Sequence, residues 1–278
     1  MSGPDPRLTP FSGRVAAKGL EGIVTAERYI DPEPVQARGN PFLCDAPGGV
    51  RIRQALTGDR LGLYDRRDGW AYVRAAKDGY CGWLPEAATV ALDDATHCVS
   101  VRSSWLQPAP TSRRPALADL HLGARVRVLS KADRWARVRC GGDEGYLPAS
   151  HLRPLDSPES DPVDVARRFL GTPYVWAGNT GFGIDCSGLV QACLLACGIP
   201  CPGDSDLQEA ALGRALVPED DWRPGDLVFW KGHVALVADP QTLIHAYGHA
   251  MLVGYEPIAE ALPRILAAGD PVSSRRRL

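Results

Sequence analysis

Gly183-Ile184-Asp185-Cys186-Ser187-Gly188-Leu189-Val190 opens the segment whose periodicity decides how the second half of the chain folds. From Cys186 the apolar positions Leu189, Val190, Cys193, Leu194 and Cys197 follow i, i+3, i+4, i+7 spacing, which predicts a helix with one buried stripe. Gly198 is placed to close that helix, and Pro200 prevents its continuation. Cys186 therefore falls in the first turn, where unpaired N–H groups and the helix dipole are expected to favour a thiolate and lower its pKa. Cys193 and Cys197 lie deeper in the stripe, where desolvation disfavours a thiolate. Cys186 is the candidate nucleophile.

A nucleophilic cysteine needs a proton acceptor. Arg223-Pro224-Gly225-Asp226-Leu227-Val228-Phe229-Trp230 reads as a turn and a strand. Gly232 to Asp239 and Leu243 to Tyr247 then read as two antiparallel strands around Asp239-Pro240-Gln241. A loop with an odd number of residues puts His233 and His245 on one face as diagonal neighbours; a two-residue loop puts them on opposite faces. The expected geometry pairs Cys186 with His233 as general base, while His245 holds the second ring nitrogen of His233. His249 shares the parity of His245 and competes for that place. Tyr174, upstream of the nucleophile, is a candidate donor to a developing oxyanion together with the Cys186 backbone N–H. Trp176 suits either packing or substrate contact.

Other chemistries have weaker footing. Cys193, Cys197 and Cys201 are evenly spaced, but no CxxC pair or HExxH motif is present, and the helix should end before Cys201. Neither a phosphate-cradling loop nor a dinucleotide fingerprint is found, so no metal and no cofactor are expected. The formal net charge is −2 and the pI about 6.3, without the basic face of a nucleic-acid binder. The basic end Ser273 to Leu278 is expected to be a solvated tail. No run of about 18 uncharged apolar residues predicts a membrane helix. The first thirty residues lack a continuous apolar core, so no secretory signal is expected. Eight cysteines are too sparse for a disulfide framework, and Cys44, Cys81, Cys98 and Cys140 are expected to pack as thiols in a cytosolic protein.

The first half carries an internal repeat. Asp68-Gly69-Trp70-Ala71-Tyr72-Val73-Arg74 leads to Gly79-Tyr80-Cys81-Gly82-Trp83-Leu84-Pro85, and Asp133-Arg134-Trp135-Ala136-Arg137-Val138-Arg139 leads to Gly145-Tyr146-Leu147-Pro148. Each is a tryptophan-led alternating strand, a glycine turn and a short aromatic strand. Strand candidates Arg60 to Tyr64 and Ala124 to Leu129 precede them. Period-two alternation with Gly-rich turns predicts small all-β barrels with Trp70 and Trp135 pointing inward. A polar, proline-bearing linker at 156–162 sets the main boundary near residue 157.

These segments resemble known families. The repeat resembles the bacterial SH3-like domain, present twice. Asp185-Cys186-Ser187-Gly188 with Tyr174-Val175-Trp176-Ala177-Gly178, Arg223 to Trp230, and Gly232-His233-Val234-Ala235-Leu236-Val237 resemble the NlpC/P60 cysteine peptidases. Pro202-Gly203-Asp204-Ser205-Asp206-Leu207-Gln208 matches that family's next block, with Gly203 in place of the usual basic residue. The resemblance implies an α+β, papain-like catalytic domain over 157–278. Two small all-β SH3-like barrels over 26–94 and 95–156 precede it, after an N-terminal segment 1–25. It implies His245 as the third polar residue.

The arrangement is similar to the murein-tripeptide-recycling subgroup, which cuts between γ-D-glutamate and a diamino acid in peptides with a free N-terminal L-alanine. By that resemblance Tyr80 stands over the substrate, Asp59 meets the alanine amine, and Asp185, Ser187, Asp204 and Ser205 line the pocket. The partner expected is thus a muropeptide, not a nucleic acid or a membrane. A different cysteine amidase or acyltransferase, or a non-catalytic peptidoglycan-binding module, are the alternatives.

Overall fold

The computed structural model describes residues 4–278, which divide into two compact units meeting at Ser157 and Pro158.

The first unit is built almost wholly of strands. A short parallel pair, β1 (Val15–Ala17) and β2 (Arg28–Ile30), precedes a seven-stranded sheet. Its strands are β3 (Glu33–Ala37), β4 (Phe42–Cys44), β5 (Arg51–Gln54), β6 (Arg60–Arg67), β7 (Trp70–Ala75), β8 (Cys81–Pro85) and β9 (Thr89–Ala91). They lie in the order β5-β4-β8-β7-β6-β3-β9, paired antiparallel. The chain continues through β10 (His97–Val99), the hairpin β11 (Ser103–Leu106) with β12 (Ala118–His121), then β13 (Arg125–Ala132), β14 (Trp135–Cys140), β15 (Asp143–Pro148) and β16 (Leu152–Pro154). Of these, five form a second sheet in the order β15-β14-β13-β10-β16. The two sheets meet where the Arg125 N–H donates to Thr57 O at 3.0 Å. Gly58 is required there: a Cβ on it would lie 2.1 Å from Arg125 O.

The repeat is in register as well as in sequence. In one sheet Trp70 pairs with Pro85 and Val73 with Gly82; in the other Trp135 pairs with Pro148 and Val138 with Gly145. The tryptophans, however, do not point into the cores. Ala71, Val73 and Ala75 enter the first core, and Ala136, Val138 and Cys140 the second, while Trp70 and Trp135 are only half-buried. Trp70 instead packs beside Tyr64, Tyr72 and Trp83 on the opposite face of its sheet. Alternation defines two rows, and where both rows are apolar it does not say which one faces the core.

The second unit packs helices on an antiparallel sheet. It contains α1 (Pro162–Arg167), the two-residue strands β17 (Asn179–Thr180) and β18 (Gly183–Ile184), α2 (Cys186–Ala196) and α3 (Ser205–Ala211). These are followed by β19 (Arg214–Ala215), β20 (Leu227–Trp230), β21 (His233–Asp239), β22 (Thr242–Tyr247), β23 (Leu252–Pro257), α4 (Ile258–Ala267) and β24 (Ser274–Arg277). The sheet order is β19-β24-β20-β21-β22-β23. Val228, Trp230, Ala235, Val237 and Leu243 form one core row under Ile258, Ala261 and Ile265 of α4. The alternate residues Leu227, Phe229, Val234, Leu236 and Ile244 are buried too, and α1 and α2 lie against β21 and β22. Both faces are therefore covered, and β20–β22 read as near-continuous apolar runs.

The basic end is not a solvated tail. Ser274–Arg277 inserts as β24 between β19 and β20. Arg275 stacks 3.8 Å over the Trp222 ring, and Arg277 makes two 2.8 Å hydrogen bonds to the buried carboxylate of Asp226. Arg275 and Arg277 have thus found a planar and an anionic partner some fifty residues away, which suits the guanidinium fork.

Candidate active site

Asp185 starts the nucleophile helix. It is the N-cap of α2, and its Oδ1 accepts the Gly188 N–H at 2.6 Å and the Ser187 hydroxyl at 3.0 Å. A cap of this kind contributes about 1 kcal/mol. Gly188 lets the β17–β18 hairpin lie against this turn, since a Cβ there would be 2.6 Å from both Asn179 Oδ1 and Gly178 O. From below, the fully buried amide of Gln208 on α3 donates to Ser187 O at 2.9 Å and Pro202 O at 3.0 Å. Gly198, at φ +75°, follows the helix as expected.

Cys186 emerges at the first residue of this braced helix, 6% exposed. Its Sγ lies 4.0 Å from Gly232 O, and the Val234 N–H acts on it, so the sulfur contacts both chain neighbours of His233. The expected low thiol pKa is not found. Burial pushes the Cys186 thiol up to about 12, Asp185 adds to the shift, and the N–H groups of Val234, Ser187 and Cys186 only partly oppose it. Desolvation outweighs the backbone N–H groups at the helix terminus.

The two histidines meet, but not by the expected loop. Asp239 pairs with Thr242 across the two-residue loop Pro240-Gln241, which alone would separate the rings. A bulge between Val237 and Asp239 restores the parity: Val237 pairs with Leu243, Leu236 with Ile244, and His233 and His245 become diagonal neighbours. His233 Nε2 then lies 2.9 Å from His245 Nδ1. Burial pushes both imidazoles well below their ordinary range; for His233 the next causes are His245 and Arg264, and for His245 the next is Arg264. His249 is exposed beyond β22 and takes no part in this contact.

Tyr174 stands close to the thiol. Its N–H donates to Met251 O at 2.9 Å, and its phenol is pushed up by burial first and then by Cys186 and Asp185. Trp176 is 61% exposed and so is not core. Asp204 caps α3 without a side-chain bond to its first turn, and Ser205 is buried at its first position.

Two expected substrate residues belong to the first unit. Asp59 is 4% exposed; its Oδ2 accepts Lys77 Nζ at 2.7 Å and the Leu56 N–H at 2.9 Å. That carboxylate closes a turn and a buried ion pair. Tyr80 is buried in the core with Val35, Leu43 and Leu84.

Sequence reasoning missed Glu256 and Arg264. Glu256 Oε2 lies 3.1 Å from His245 Nε2, and Arg264 Nε and Nη2 donate to its two oxygens at 2.7 Å. Glu256 shares the parity of Gly254, the residue paired with His245, which is a readable signal once β23 is recognised. Arg264, on α4, gave none.

Residues 171–263 match the NlpC/P60 family, and residues 43–88 match the bacterial dipeptidyl-peptidase SH3 domain. A gamma-D-glutamyl-L-lysine dipeptidyl-peptidase of Bacillus subtilis is 31% identical over 215 residues, 69% of this chain and 71% of that protein. Dipeptidyl-peptidase 6 of Lysinibacillus sphaericus is 30% identical over 216 residues, 67% of this chain and 74% of that protein. The crystal structure of an NlpC/P60 family protein from Bacillus cereus shares the fold, with a TM-score of 0.77 and 22% identity over 88% of this chain and 99% of that one. With a cysteine at the head of a capped helix, two bonded histidines on the adjoining strands and these relatives, the chain belongs to the NlpC/P60 family of cysteine peptidases.

Proposed function

We propose that the chain hydrolyses the bond between γ-D-glutamate and the diamino acid in short cell-wall peptides with a free N-terminal L-alanine. The observation that carries this reading is the 2.9 Å contact of His233 Nε2 with His245 Nδ1 beside the Cys186-bearing end of α2. Support for the substrate comes from the relatives named as dipeptidyl-peptidases, that of Bacillus subtilis as a gamma-D-glutamyl-L-lysine enzyme.

His233 takes the thiol proton as Cys186 Sγ attacks the γ-glutamyl carbonyl. Because burial holds thiol and imidazoles neutral, this transfer accompanies the attack rather than preceding it. The Cys186 N–H and the Tyr174 hydroxyl receive the oxyanion. His233 then protonates the departing amine, and water activated by the same ring releases L-alanyl-D-glutamate from the thioester. Trp176, Asp204 and Ser205 line the peptide pocket, while Asp185 and Ser187 set the helix end that presents the thiol.

The proposal includes a cytosolic, recycling role and a second SH3-like domain. The in-register repeat of β7–β8 by β14–β15 supports that domain. Its spans are 26–94 and 95–156 for the SH3-like domains and 157–278 for the catalytic one, after segment 1–25.

Mass spectrometry tests the reading with L-alanyl-γ-D-glutamyl-meso-diaminopimelate, the L-lysine counterpart, and N-acetylated forms of both. Cleavage by wild type, absent with Cys186→Ala and lost on acetylation, is the expected result. Cleavage that survives acetylation removes the free-amine requirement. Transfer of the acyl group to an added amine in place of water indicates an acyltransferase. No cleavage by folded wild type overturns the proposal.

A further inference from the structure

The hydrogen-bond chain behind Cys186 extends past the two histidines. We propose that Glu256, held by Arg264, is a positioning residue that fixes the tautomers of His245 and, through it, of His233. This rests on reading His233 as the base for Cys186.

The protons along this chain can be counted from its carboxylate end. Glu256 is buried, with Arg264 donating to both of its oxygens, so it faces His245 as a carboxylate. A carboxylate only accepts, so at 3.1 Å the His245 Nε2 carries a proton and donates it. A neutral imidazole has one N–H, which leaves His245 Nδ1 as a bare lone pair. That lone pair accepts from His233 Nε2–H at 2.9 Å. By the same count His233 Nδ1 is left unprotonated, the state in which it can accept the thiol proton.

The surroundings hold this order in place. His245 stacks on Tyr247 with ring centroids 4.1 Å apart and planes 11° apart, which fixes its ring orientation. Arg264 lies over Tyr247 at 5.8 Å, and Trp230 lies 5.5 Å from His233. The charged and titratable groups around the pair are Glu256 on β23, Arg264 on α4, Tyr247 on β22, and Cys186, Asp185 and Tyr174 around the start of α2. Burial and the Arg264 charge oppose protonation of either ring, so the count holds at neutral pH.

Glu256→Gln tests the proposal with little change in shape. With the amide oxygen kept on Arg264 Nε, the NH₂ takes the place of Oε2, gives up the Arg264 Nη2 bond and donates to His245, which makes His245 Nε2 an acceptor. His245 then donates from Nδ1 to His233 Nε2, and the remaining proton of His233 sits on Nδ1, where it blocks thiol deprotonation. The expected result is a fall in kcat of about 10²- to 10⁴-fold with KM within about threefold, the pattern of a mis-set tautomer. Imidazole ¹⁵N NMR provides a readout that a merely structural role would not move. Wild type should show His233 and His245 both protonated at Nε2, and E256Q should show both protonated at Nδ1. A wild-type spectrum with His245 protonated at Nδ1 overturns the proposal, as does an unchanged kcat in folded E256Q. If E256Q does not fold, the wild-type spectrum alone decides. If wild type cleaves none of the peptides, the substrate reading fails while the spectrum still tests Glu256.

Discussion

Asp239 pairs with Thr242 out of step with the rest of its ladder, and the single extra residue Ala238 absorbs the difference. A bulge of this kind leaves the pairs beyond it, Val237 with Leu243 and Leu236 with Ile244, in regular register. Deleting Ala238 should therefore regularise the turn without moving the two histidines apart. Peptide cleavage is expected to fall by less than about tenfold, because the bulge serves register rather than chemistry. A loss of activity in a folded deletion variant would show that the bulge itself aims a ring.

Tyr174→Phe removes one hydroxyl beside the thiol. If that hydroxyl receives the oxyanion, kcat should drop by at least about tenfold while the thermal midpoint stays nearly constant. Unchanged turnover leaves the backbone N–H of Cys186 as the remaining donor from this pair.

Gly188→Ala places a methyl group 2.6 Å from Asn179 Oδ1 and from Gly178 O. One of these is backbone, so the hairpin must move away from the helix end. Overpacking of this kind costs about 1–3 kcal/mol, and denaturant titration should show it. Activity should fall further than stability, since the displaced turn carries Cys186. A variant of wild-type stability and rate would mean that the hairpin yields freely.

Stability should decline on both sides of neutrality. Below about pH 6.5 an unfolded histidine binds a proton that the buried rings of His233 and His245 refuse, so the unfolded state binds more protons and stability falls with pH. Above about pH 9 the sign reverses: the unfolded Cys186 loses a proton that the folded thiol keeps to about 12, and stability falls as pH rises. His97, His121 and His151 are also held low by burial, and Cys81 and Cys140 are pushed up to about 12. His233→Ala should accordingly flatten the acid limb without abolishing it, and Cys186→Ala the alkaline one. Urea midpoints across this range measure both slopes.

What the chain discloses before folding follows the range of the forces involved. The α2 stripe and the Gly198 stop are local and were readable from spacing; the Asp185 cap is equally local, but the residue was read only as part of the pocket. The shared face of His233 and His245 was readable only up to a parity choice, because a bulge is a backbone event with no required residue type. The thiol of Cys186 was misjudged for a related reason: a helix terminus is visible in sequence, whereas desolvation depends on everything packed around it. The ion pair of Asp59 with Lys77, eighteen residues on, had no signal in the sequence, because it depends on how the strands between them fold. Glu256 and Arg264 escaped because their partners lie on other elements, where only the assembled sheet brings them together.

The late strand Ser274–Arg277 bears on how the second unit acquires its structure. The meander β20–β23 is made of neighbours in sequence and has low contact order, whereas β24 reaches its place only after α4 has been traversed. Until it arrives, Leu227-Val228-Phe229-Trp230 is an apolar edge with unpaired backbone groups, the kind of template on which chains aggregate. Once β24 is in place the backbone groups of Leu227–Phe229 are paired, and only the two-residue β19 lies beyond it, so the long apolar edge is replaced by a short one.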